Sequence, residues 1–153
     1  GSYSTALAQW APGSKGKDNF AVHCQDVVDS SEGLKVRVCL VGYRDHCDTE
    51  RFTIHEFTED IGKLKTFIAG VKAIGGGDFP EDVVGGQENV LTKIGLQEVQ
   101  AGLPLFDAPC HGKEYSTGWD SYPEGSPEGY KLEPLMREFR DKNIQYVCIK
   151  LNE

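Results

Sequence analysis

The sequence has no apolar run approaching the roughly 20 residues that cross a bilayer, no internal repeat and no low-complexity tract. A membrane-spanning helix and a repeat architecture are excluded on those grounds, and no membrane partner is expected. There is no Lys/Arg cluster with interleaved aromatics, and a net charge of -8 repels phosphate backbones, so nucleic acid is excluded as a partner. No Gly-x-x-x-x-Gly-Lys-Ser/Thr loop is present, and Gly75-Gly76-Gly77 precedes an acidic helix start that would repel phosphate. No Gly-x-Cys-x-Gly elbow or other nucleophile signature accompanies the cysteines. Disulfide usage is also missing its usual sign, because the cysteines number five. Cys39 and Cys148 sit in apolar, strand-like runs where a cysteine behaves as a small buried hydrophobe, which suits reduced thiols and a cytoplasmic location.

What remains is ordinary globular material. A chain of 153 residues with 39% hydrophobic and 26% charged residues can bury one core but not two, so residues 1–153 are read as a single domain. The opening Gly1-Ser2 resembles the remnant of a cleaved tag.

Along the chain, strands and helices alternate. Tyr3 to Gln9 reads as a short strand, and Ala11 to Gly16 as a loop. From the capping residue Asp18, the apolar positions Phe20, Ala21, Cys24, Val27 and Val28 recur at helical spacing. Leu34 to Tyr43 alternates and then becomes continuously apolar, as a strand covered on both faces does. After a polar turn, Arg51 to Thr58 alternates, and the short connection makes it an antiparallel neighbour at an edge. Two helices are expected next, over 61–74 and 80–94. The second opens on Asp78-Phe79-Pro80-Glu81, and its Gly85 and Gly86 suit close backbone packing. Leu103 to Phe106 is a strand, Lys113 to Gly129 a long aromatic loop, Leu132 to Phe139 a helix, and Ile144 to Leu151 a last strand.

This order gives an α/β fold with a mostly parallel sheet, one antiparallel edge strand and helices on both faces. Ligands of such sheets bind at the carboxyl ends of the strands. The informative loops follow Gln9, Tyr43, Ile74 and Phe106, and acids and aromatics concentrate there. Whether the first strand takes the centre of the sheet stays open at this point.

The segments Val38 to Asp48 (VCLVGYRDHCD), Gly75 to Gly86 (GGGDFPEDVVGG), Asp107 to Gly112 (DAPCHG) and Asp141 to Asn152 (DKNIQYVCIKLN) resemble, in order and spacing, the von Willebrand factor type A domains attached to alpha-type protein kinases. The resemblance implies a three-layer, Rossmann-like sheet and a protein-binding role without catalysis. It extends to recruiting partners or substrates for a larger protein such as an alpha-type kinase. It also implies a metal-ion-dependent adhesion site, usually for magnesium, with Ser14, Asp78, Glu81 and Asp107 as candidate ligands. Trp10 and Pro12 stand where that family has an aspartate and a serine, so two oxygens are replaced by groups that offer a hard cation nothing, and the site is degenerate. Asp78 reads alternatively as a helix cap and Glu81 as a partner of the helix dipole.

Two other constellations share these loops. Asp45-His46-Cys47 and Cys110-His111 have the composition of a zinc site, although adjacent His-Cys pairs lack the spacing of structural zinc ligands. The same residues could form a Cys/His nucleophile pair with an acid as orienter. In the aromatic loop, Tyr115, Trp119 and Tyr122 serve equally well as a recognition surface or as a cover for a strand edge. The favoured reading is a net-acidic binding face carrying Asp45, Asp48, Asp78, Glu81, Asp107 and Trp119, suited to a basic protein partner and requiring no cofactor. With two ligands replaced, millimolar magnesium should leave the melting temperature unchanged. A rise of several degrees that Asp107→Ala abolishes would refute the degenerate-site reading.

Overall fold

In the computed structural model, the described residues are 3–10, 25–26, 29, 35–72, 74, 77–94 and 101–150. Strand β1 (Tyr3–Trp10) lies between β2 (Lys35–Tyr43) and β4 (Ala101–Phe106), parallel to both. The sheet order is β3-β2-β1-β4-β5, with β6 also on β4, so the first strand does occupy the centre. Strand β3 (Phe52–Thr58) is the antiparallel edge strand. The helices are α1 (Ile61–Gly70), α2 (Val83–Ile94) and α3 (Leu132–Asp141). Residues 25, 26 and 29 are helical, while the loop at 11–16 and Ser14 lie outside the described residues. Among the described residues, no helix is long and apolar enough to cross a membrane.

The period of two in β2 builds both halves of the core. Val36, Val38 and Leu40 point to one face and join Ile61, Leu64, Ile68 and Val71 around α1. Cys39, Val41 and Tyr43 point to the other and join Val83, Val84, Val90, Leu91, Leu135 and Phe139 from α2 and α3. That alternation produces three layers, because each face of a central strand must be covered.

Two helix boundaries differ from the sequence expectation, each for a local reason. Helix α1 stops at Gly70 and not at residue 74: Val71 turns extended and its N–H donates back to Ile68, while its side chain stays buried. The next helix begins at Val83 and not at residue 80, because its cap is Asp82 and not Asp78. Asp82 Oδ1 accepts the Gly85 N–H at 2.8 Å. Glu81 is consequently outside the helix and forms a β-bridge to Cys110.

The last strand is two pieces, β5 (Gln145–Tyr146) and β6 (Ile149–Lys150). They pair with Ala101–Gly102 and Leu105–Phe106, which leaves Val147 and Cys148 opposite Leu103 and Pro104. Proline has no N–H to give a neighbour, and the ladder breaks across from it. As a result, Cys148 is exposed instead of buried, whereas Cys39 is fully buried as expected.

Gly85 is required where it stands: a Cβ there would lie 2.1 Å from Asp82 Oδ2, in the space the capping carboxylate fills. Gly85→Ala should therefore dislodge the cap and cost about 1–2 kcal/mol in urea denaturation. Gly70→Ala, where a Cβ meets nothing within 4 Å, should be neutral or stabilising by up to about 1 kcal/mol. Equal effects of the two substitutions would contradict this account.

Candidate functional site

The carboxyl ends of β2 and β4 release two polar segments that the fold then buries. Arg44 and Asp45 follow β2 directly and are 5% and 1% exposed; His111, five residues past β4, is 3% exposed. Burying such groups demands complete hydrogen bonding. His111 Nε2 lies 2.9 Å from Asp45 Oδ1, and its Nδ1 lies 2.7 Å from Asp120 Oδ1. A ring with a carboxylate on each nitrogen carries two N–H donors, so His111 is an imidazolium. Burial works against that charge, but the bonds from Asp120 and Asp45 outweigh it and raise the imidazole above its ordinary value. Burial would raise Asp45 in turn, yet the bonds from Cys47, His111 and the His46 N–H bring its carboxyl below the usual range. Asp120 also accepts the N–H groups of Gly112 and Tyr122, and its carboxyl is likewise lowered.

Beside this clamp runs a second network. Asp82, besides capping α2, accepts from Arg51 Nε at 2.6 Å, and Arg51 continues to Glu128 in the aromatic loop. His46 Nε2 approaches Asp82 Oδ1 at 3.4 Å, and burial holds this imidazole below its ordinary value. The two histidine rings lie 5.4 Å apart, with the Tyr122 ring edge-on to both.

The expected site residues therefore divide. Asp45 was expected on the binding face; it is buried and consumed by His111, Cys47 and the His46 N–H, so it is a structural residue in this arrangement. Asp48 is half-buried and accepts the Asp45 N–H. Asp78 is half-buried; its Oδ2 accepts the Ser121 N–H, and its Oδ1 is buried without a partner. Glu81 Oε2 is also buried without a partner, and burial, reinforced by Asp45, Asp48 and Asp107, pushes this carboxyl up to about 8. Asp107, directly after β4, is half-buried, and burial raises its carboxyl too.

Trp119 is 72% exposed, whereas Tyr122 lies edge-on to His46 and His111 and not over a strand edge. Sequence reasoning missed Asp120, Arg51, Asp82 and Glu128. Asp120 is nine residues from His111, in a stretch without periodicity, and nothing in its spacing marks it.

The nucleophile reading finds no support in the thiols. Burial pushes Cys110 up to about 12, and the bond to Asp45 raises Cys47 to about 11, so both stay protonated at neutral pH. A Cys47-Cys110 pairing of zinc ligands is likewise not assembled, since Cys110 faces the apolar core. Of the first-loop positions, Trp10 ends β1 opposite Leu105, while Pro12 and Ser14 lie outside the described residues.

A groove of about 750 Å³ opens next to Asp107. It lies between the 79–83 segment, the end of β4, α3 and the β5–β6 break, and is lined by Phe79, Phe106, Tyr115, Leu132, Met136 and Tyr146. Phe79 is 65% exposed at its mouth, and Asp107 and Glu114 are the acids on its wall.

No family model matches the chain. Among solved structures, the SpRpn10 von Willebrand factor type A domain superposes with a TM-score of 0.59 at 14% identity, covering 99% of this chain and 77% of that one. SpaC, a pilus adhesin from Lactobacillus rhamnosus GG in its open conformation, gives 0.53 at 10% identity, covering 96% and 24%. Strand order, three layers and these likenesses give the chain the von Willebrand factor type A fold. A sequence relative is alpha-protein kinase vwkA of Dictyostelium discoideum, 32% identical over 136 residues, which are 83% of this chain and 22% of the kinase. The chain spans about a fifth of that protein's length.

Removing His111 would leave Asp45 and Asp120 buried without their shared counter-charge, so His111→Ala should cost about 3–5 kcal/mol. Glu81 acts in the opposite sense. Its raised folded value means that stability falls as pH climbs from the ordinary carboxylate range toward about 8. Glu81→Gln should remove that slope and stabilise the domain at pH 8, as urea midpoints measured across this range would register. A slope unchanged in the variant would be the contrary result.

Proposed function

We propose that this domain binds a protein segment combining an apolar side chain with a basic residue, and that it recruits this partner for a larger protein of the alpha-kinase kind. The carrying observation is the groove beside Asp107: an apolar channel of about 750 Å³, with Phe79 and Tyr115 partly exposed on it and Asp107 and Glu114 on its wall. Exposed apolar surface of this size, rimmed by charge, marks an interaction site. A net charge of -8 makes a basic partner the electrostatically complementary one and disfavours nucleic acid.

Of the residues expected on the face, Trp119 is exposed and Asp48, Asp78, Glu81 and Asp107 are half-buried, while Asp45 is buried. The domain has no turnover of its own in this reading, because no thiolate or elbow accompanies the histidines. Free thiols at Cys39, Cys47, Cys110 and Cys148 support a reducing, cytoplasmic setting.

Selection from a random peptide library tests the proposal. Recovered sequences should pair an aromatic or aliphatic residue with Lys or Arg. Binding should weaken as salt screens charges beyond a Debye length of about 8 Å. Tyr115→Ala and Glu114→Lys should each lower affinity at least tenfold. Recovery of acidic sequences, or indifference to both substitutions, would overturn the reading.

A further inference from the structure

The loops that follow β2 and β4 and the one that precedes α2 bring together nitrogen, oxygen and sulfur donors away from the end of β1. One carboxylate oxygen of Asp45, one of Asp78 and a ring nitrogen of His111 lie within 4.8 Å of one another. Asp45 Oδ2 is 3.1 Å from Cys47 Sγ. Asp78 Oδ1 is buried and has no hydrogen-bond partner, while Oδ2 of the same group is fixed by the Ser121 N–H. A buried carboxylate oxygen lacking a donor next to two other ligand groups is a vacancy of charge that a cation fills. Space is kept open as well, since a Cβ on Gly77 would come within 3.1 Å of Cys47 Sγ and 3.5 Å of Asp45 Oδ2.

We propose that His111 Nε2, Asp45, Asp78 and Cys47 Sγ form a site for a divalent transition metal of the zinc class. The donor set decides the metal: imidazole, thiolate and two carboxylates suit four-coordinate zinc, whereas magnesium and calcium take oxygen alone. Asp120 completes the arrangement. By accepting the Nδ1 proton of His111 it fixes the ring with Nε2 turned toward Asp45, as an outer carboxylate does for a metal-bound histidine. Cys47 is exposed, which gives the ion a way in.

Without metal, the Nε2 proton occupies the same position and binds Asp45. Metal binding is then an exchange: one divalent cation enters, His111 releases its Nε2 proton and Cys47 its thiol proton. Two protons leave for one doubly charged ion, so the net charge of the cluster is unchanged. The neighbouring group His46, Asp82 and Glu128 is no rival, because the Arg51 guanidinium already lies between its two acids. The site differs from the four-residue zinc composition visible in the sequence by using Asp45 and Asp78 in place of His46 and Cys110. It does not rest on the protein-binding reading and is tested on the domain alone.

The chelator-stripped domain should take up one zinc ion in calorimetric titration, with proton release that shows as a dependence of the measured heat on the buffer. Affinity should rise with pH. Cobalt in its place should show a thiolate charge-transfer band. Asp78→Asn and Cys47→Ser, both at the rim of the cluster, should each weaken zinc at least tenfold with circular dichroism unchanged, and Cys47→Ser should abolish the cobalt band. Cys148→Ser should change neither. Absence of zinc binding, retention of wild-type affinity in either rim variant, or a preference for magnesium over zinc would overturn the proposal.

Discussion

The carboxyl edge of this sheet is held in shape by one buried cation shared between two carboxylates, the imidazolium of His111 with Asp45 and Asp120. Each partner comes from a different stretch of chain: Asp45 from the turn after β2, His111 from the turn after β4, and Asp120 from the long aromatic loop. Taking three ionised groups out of water is costly, and it succeeds here because backbone N–H groups of His46, Gly112 and Tyr122 meet the remaining carboxylate lone pairs. Everything else at this edge takes its position from that bond. Tyr122 folds inward next to Asp120, Ser121 reaches Asp78, and the loop that carries Trp119 into solvent is anchored immediately after it.

A second tie has the same logic with less burial. Asp82 caps α2, receives Arg51 from the start of β3, and through Arg51 is linked to Glu128. The far end of the aromatic loop is thereby fixed to the opposite side of the site. Between the two ties, the loop is stretched over His46 and His111 without any regular secondary structure of its own. The apolar groove opens on the other side of the 79–83 segment, where α3 and the interrupted β5–β6 edge leave Phe106 and Tyr146 partly uncovered.

Most of the fold was legible because periodicity reports burial. The alternation in Leu34 to Tyr43 announced a central strand, and the structure divides its side chains between the two core faces accordingly. Helix ends were less legible, since Asp78 and Asp82 are equally good caps on paper and only packing decides that Asp82 turns its carboxylate over Gly85. Pro104 could have warned that the last strand would break, but the warning lies in a different strand from its effect, and register had to be known first.

The site was legible as a place more than as a set of roles. Asp45, Asp78 and His111 were all singled out, yet Asp45 is buried where a surface acid was expected. Its decisive partner, Asp120, lay in a segment whose composition signals only a loop. Ser14 and Pro12 lie outside the described residues, so the adhesion-site reading of the first loop is carried by Trp10 alone.

The interruption opposite Pro104 also bears on how the molecule behaves among copies of itself. Sheet margins are templates on which a foreign backbone can add, and long, flat, regular margins are the most dangerous. At the β5–β6 side, two-residue pieces separated by Val147 and Cys148 offer no continuous row of donors and acceptors for another chain to read. A proline set one strand inward thus breaks up the outer ladder that a second copy would need.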